Sequence, residues 1–83
     1  MYRLRISSRA ENEIKKISRS HQKAIISALA EIKEEPFLGK PLTRELTGRF
    51  SFRVSVYRII YKVSKKDRTI DILTIGHRST IYK

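Results

Sequence analysis

The sequence has no cysteine, only two histidines, and eight acidic side chains against nineteen basic ones. Without cysteine there are no disulfides and no thiolate ligands. His21 and His77 are separated by most of the chain, and neither has a carboxylate cluster beside it, which argues against a metal centre. There is no serine nucleophile motif and no phosphate-cradling glycine loop. Any catalysis is therefore expected to use neither metal nor cofactor and to rest on Arg, His and Tyr. No apolar run is long enough to cross a bilayer, and the charged start "MYRLRISSRAENEIKK" lacks a signal-peptide pattern. These absences lead to the expectation of a soluble, cytoplasmic protein. A length of 83 residues fits one domain, residues 1–83, with a modest core.

What is present is positive charge. The formal net charge is +11, and it is unevenly placed. Residues 1–37 carry eight basic and five acidic side chains, whereas residues 38–83 carry eleven and three. The second part is the expected anion-binding region, and nucleic acid is the commonest anion that calls for such a field. A merely solvated surface is the competing explanation.

The hydrophobic pattern gives an order of elements. "YRLRI" alternates Tyr2, Leu4 and Ile6 with arginines, the period of a half-buried strand. Ser8 and Glu11 have the spacing of a capping box, and Ala10, Ile14 and Ile17 follow at helical spacing, with Glu11 and Lys15 as an i,i+4 pair. Ser18 or Ser20 can cap a second helix whose stripe is Ala24, Ile25, Ala28, Leu29 and Ile32, ended by Pro36. So short a connection makes the two helices antiparallel neighbours. A short strand is expected near Leu42 to Leu46, a turn at Gly48, and a hairpin over "FSFRVSVYRIIY". "TIDILTI" is apolar on both sides and is therefore placed centrally. The resulting class is α+β: two antiparallel N-terminal helices on one face of a curled, mainly antiparallel sheet, in the order β-α-α-β-β-β.

The hairpin poses an electrostatic problem. A two-residue turn at Ser55-Val56 sets Arg53 directly opposite Arg58, and like charges so placed are destabilising. One hairpin face, with Phe52, Val54, Tyr57, Ile59 and Tyr61, is the natural floor for the helices; the arginine face is left open. The following strand brings residues 74 to 76 near Arg58 and then delivers His77 and Arg78, with Tyr82 four residues on. Arg53, Arg58, His77, Arg78 and Tyr82 form the candidate site. A phosphate between the two arginine forks would convert repulsion into binding. The alternative is that the arginines are solvated or paired with Glu45 or Asp71.

"FSFRVSVYRIIYKVSKKDRTIDILTIGHRSTIY" resembles the C-terminal signature of the RelE/ParE superfamily of bacterial and archaeal toxins. "LTREL" matches that family's lead-in, and the strand-helix-helix start agrees with its fold, so the resemblance spans nearly the whole chain. It implies the toxin of a type II toxin–antitoxin pair. RelE-like members are messenger RNA endonucleases that act in the ribosomal A site, the 2′-hydroxyl attacking the adjacent phosphate. By resemblance, Arg53 and Arg58 would hold the scissile phosphate, Arg78 would serve the leaving oxygen, and Tyr82 would stack on the substrate. His77 would be a candidate acid or base. Two positions depart from the pattern: Ser51 stands where some members carry a further basic residue, and Ser55-Val56 replaces a glycine-containing turn.

Two other functions are compatible with the same fold. A ParE-like toxin poisons gyrase without cutting RNA, and a degenerate member would only bind RNA or its antitoxin. Joint presence of Arg53, Arg58, Arg78 and Tyr82 favours the nuclease. The expected partners are a RelB-like antitoxin, acidic and partly disordered, and messenger RNA on the ribosome.

Overall fold

A computed structural model describes residues 1–77. The first strand, β1 (Arg3–Ile6), leads into α1 (Ser8–Lys15). The cap of α1 lies one residue earlier than the spacing suggests. Ser7 has extended backbone, and its hydroxyl accepts the Ala10 N–H at 3.0 Å while donating to the Leu73 carbonyl at 2.9 Å. Ser8 is thus already helical. Glu11 falls outside a capping box and instead pairs with Lys15 at 3.8 Å, as its i,i+4 spacing expects.

Ser18 precedes α2 (Arg19–Glu34), but its hydroxyl bonds the His21 Nδ1 at 2.8 Å and no backbone N–H. The Gln22 amide of α2 donates to Ile14 O in the last turn of α1 at 2.8 Å and to Ile17 O in the connection at 2.9 Å. Ile25, Ala28, Leu29 and Ile32 are buried, while Ala24 faces solvent.

The expected strand over Leu42 to Leu46 is not there. Pairing is confined to β2 (Lys40–Pro41), extended by one bond from Leu42 N–H to Arg49 O. Arg44 then takes a left-handed φ of 58° and starts a single 3₁₀ turn, Arg44–Leu46, which bends the chain out of the sheet. Gly48, at φ 93°, supplies the anticipated turn into β3 (Arg49–Val54). β4 (Tyr57–Ser64) and β5 (Thr69–His77) complete a five-stranded sheet in the order β1-β5-β4-β3-β2. β1 runs parallel to β5 and the other neighbours are antiparallel, so the sheet is mixed.

A bulge in β5 explains its pattern. Ile60 pairs with Thr74 but Tyr61 with Ile72, which leaves Leu73 as the extra residue. Ile70, Ile72 and Ile75 therefore all join one core, although the last two are three apart. Tyr61 is buried at the centre of that core. Its hydroxyl donates to Pro36 O and accepts from Gly39 N–H, both at 2.9 Å, tying the loop after α2 to the sheet. Burial pushes the Tyr61 phenol pKa upward, and the Gly39 hydrogen bond partly opposes this.

Candidate active site

The hairpin turn fixes the central feature. Val54 pairs with Tyr57, so Arg53 stands directly opposite Arg58, and Arg58 in turn pairs with Gly76 on β5. Strand alternation puts these residues on the sheet face away from the core. On the core side of the same strands, Phe52, Val54 and Tyr57 pack against buried Ile59 and Tyr61. Arg53 is exposed and Arg58 half-buried, with the Arg58 Nε itself buried.

Asp71 is not available to the hairpin arginines. Arg5, its partner in the parallel β1–β5 register, holds both carboxylate oxygens, at 2.6 Å from Nε and 3.0 Å from the terminal nitrogen. This hydrogen bond, aided by the charges of Arg5 and Lys62 and opposed by partial desolvation, holds the Asp71 carboxyl below the usual carboxylate range. The same pairing raises the Arg5 pKa. Among the described residues, no carboxylate lies within 4.0 Å of Arg53.

The register extends the cationic surface. Lys40, Arg49 and Lys62 share the face of Arg53 and Arg58, as do Arg3 and Arg5 on β1. The face is not uniformly open, because Ser51 and Ile60 at its middle are buried at 5% and 4% exposure. A cationic surface on β-strands suits a polyanion backbone better than a small acid.

His77 departs from the expected convergence. It pairs with Tyr57, and their rings meet edge-on at 6.0 Å. On the core side of the sheet the His21 ring of α2 also meets Tyr57 edge-on, at 5.2 Å. Residue 77 alternates onto the Tyr57 side because Gly76, not His77, faces Arg58. Arg78 and Tyr82 lie outside the described residues.

Glu13 is a residue that sequence reading missed. β1 ends at Ile6, so on that side the later part of β5 has no strand beside it. Ser7 N–H donates to Ile72 O at 3.0 Å, and the Glu13 carboxylate of α1 accepts the Ile75 N–H at 2.9 Å and the Thr74 hydroxyl at 2.8 and 3.0 Å. A side chain thus completes the ladder and fixes the segment that sets Gly76 against Arg58. Nothing in the local sequence signals it, because the contact joins residues more than sixty apart.

Comparison with known proteins agrees with this architecture. The profile of the family described as the ParE toxin of type II toxin–antitoxin systems matches residues 4–82. The chain belongs to this toxin family. The toxin is 34% identical over 84 residues to Toxin RelG of Mycobacterium tuberculosis, which spans 99% of this chain and 97% of RelG. Its fold superposes on the toxin–antitoxin complex RelBE2 of the same organism with a TM-score of 0.86 at 33% identity, covering 93% of this chain and 98% of that one. The intact RelBE complex of E. coli, at 23% identity, shares the fold with a TM-score of 0.79, covering 93% and 96%. The resemblance seen in the hairpin and "GHR" segments is therefore a family relationship, and the toxin is of the RelBE/ParE type.

Proposed function

We propose that this toxin is a metal-free endoribonuclease that cuts messenger RNA in the ribosomal A site. The observation that carries the reading is the register of Arg53 against Arg58. Two guanidinium groups side by side on one face present paired forks of donors that match the oxygens of a phosphate. In the proposed reaction the 2′-oxygen bonds to phosphorus and the bond to the 5′-oxygen breaks. The 2′-hydroxyl proton departs to water, and the leaving oxygen takes a proton. A 2′,3′-cyclic phosphate and a 5′-hydroxyl result. Negative charge builds on the phosphoryl oxygens in the transition state, so preplaced guanidiniums favour it over the ground state.

We assign the scissile phosphate to Arg53 and Arg58, the leaving oxygen to Arg78 and base stacking to Tyr82. His77 is assigned no proton, since its ring packs against Tyr57. The partner is a RelB-like antitoxin, by likeness to the RelBE2 complex. A pull-down from the native host that yields no small acidic protein would contradict this.

Primer extension in a cell-free translation reaction tests the function. Cuts only on ribosome-engaged message, at A-site positions, are expected, and Arg78→Ala should abolish them while leaving antitoxin affinity intact. Uncut message at toxic concentrations would overturn the reading and turn attention to gyrase, assayed by supercoiling.

A further inference from the structure

The β3–β4 register contains a second like-charge pair. Arg49 stands directly opposite Lys62, four residues along each strand from Arg53 and Arg58 and on the same face. Both side chains are exposed, and among the described residues no carboxylate lies within 4.0 Å of either. Asp71, the register neighbour of Lys62, is held by Arg5 through both oxygens. Lys62 interacts with the Asp71 charge across the β4–β5 register, but with both Asp71 oxygens bonded to Arg5 this one carboxylate leaves the group of Arg5, Arg49 and Lys62 with a net positive charge.

The spacing identifies what neutralises it. Strands rise about 3.3 Å per residue, so four residues separate the two pairs by about 13 Å. A stacked helical strand advances about 3.4 Å along its axis per phosphate, and an unstacked, drawn-out backbone advances by roughly twice that. Thirteen ångströms thus reaches two phosphates along an unstacked strand. Between the pairs the paired Ser51 and Ile60 carry no charge, and Lys40, opposite Ser51 on the edge strand, offers one cation beside the intermediate position.

We propose that Arg49 and Lys62 form a second phosphate subsite, which holds the RNA backbone two nucleotides from the phosphate at Arg53 and Arg58. The subsite deepens the nuclease reading and rests on it for the identity of the strand. Its role is to hold the strand unstacked along β3 and β4, with the phosphate to be cut at the hairpin end.

The test uses uncleavable 2′-O-methyl oligoribonucleotides of two and four nucleotides, which carry one and three phosphates, titrated by NMR into the purified toxin. The tetranucleotide should bind about tenfold more tightly than the dinucleotide. The double variant Arg49→Gln with Lys62→Gln should lose that gain, leave dinucleotide binding unchanged, and reduce the salt slope of tetranucleotide binding by roughly 0.7 to 1.4.

Arg49→Glu separates binding from folding. It places an opposite charge across from Lys62 without setting it against Asp71, so the melting temperature should hold or rise at low salt while the length gain disappears. Equal affinity of the wild type for both lengths, binding of neither, or a length gain that survives both variants would each overturn the subsite. Cleavage of translated message by the wild type is read separately. Its absence beside an intact, Arg49- and Lys62-dependent length gain would remove the nuclease reading and leave the subsite standing.

Discussion

Replacing Glu13 by alanine tests whether α1 holds the end of β5 in register. The carboxylate accepts the Ile75 N–H at 2.9 Å and the Thr74 hydroxyl at 2.8 and 3.0 Å. Hydrogen bonds to a charged acceptor contribute about 1.5–3 kcal/mol each, and the lower end applies here because the Glu13 side chain is 27% exposed and Thr74 can turn to water. The loss should be about 2–3 kcal/mol, which in a domain this small lowers Tm by roughly 10–20 °C. Glu13→Gln keeps one acceptor and should cost about 1 kcal/mol. Urea unfolding gives the energies, and hydrogen exchange gives the location: the amides of residues 75–77 should lose protection before those of β4. Because this segment sets Gly76 against Arg58, cleavage should fall even where the protein is fully folded. A Glu13→Ala protein within 0.5 kcal/mol of wild type would refute the reasoning.

Further outcomes are expected elsewhere. Ser55 holds φ 57° at the first position of the hairpin turn, so Ser55→Gly should stabilise by about 0.5–1 kcal/mol; a lower urea midpoint would contradict this. A Cβ on Gly39 would lie 2.6 Å from the Tyr61 hydroxyl and 3.1 Å from Ser51 O, and Gly39→Ala should cost about 1–3 kcal/mol in the same assay. The Asp71 pKa is depressed in the folded state, so its contribution is complete above the ordinary value of about 3.9 and lost as pH falls through the lower folded value. The stability difference between wild type and Asp71→Asn should be flat from neutral pH to about 5 and shrink below 4; a difference unchanged into strong acid would contradict the Arg5 pairing.

The hairpin was legible because its information is local. A two-residue turn fixes every pair in β3 and β4, so Arg53 against Arg58 and Arg58 against residues 74 to 76 followed from counting alone. The α2 stripe was legible for a similar reason, since Ile25, Ala28, Leu29 and Ile32 carry the helical period themselves. The misreadings arose where local cues compete. Ser7 and Ser8 are both caps by type, and only the Leu73 carbonyl across the sheet selects Ser7. The bulge at Leu73 inverts the alternation of β5, so "TIDILTI" looks apolar on both sides when its buried isoleucines share one. Placing His77 with the arginines ignored a one-residue parity, because Gly76 holds the position facing Arg58. Glu13 and the Arg5–Asp71 pair depend on β1 lying parallel beside β5, a pairing that no hairpin count reaches.

The most direct test of the account is the single-turnover rate at which the Arg53→Gln toxin cuts a message programmed in the ribosomal A site, relative to wild type. Arg53 is exposed, so the substitution spares the core. Loss of one guanidinium contact to the reacting phosphate, about 1.5–3 kcal/mol, predicts a rate lower by roughly 10- to 150-fold with Tm unchanged or raised. An Arg53→Gln toxin that cuts at the wild-type rate would contradict the claim that the paired arginines hold the phosphate.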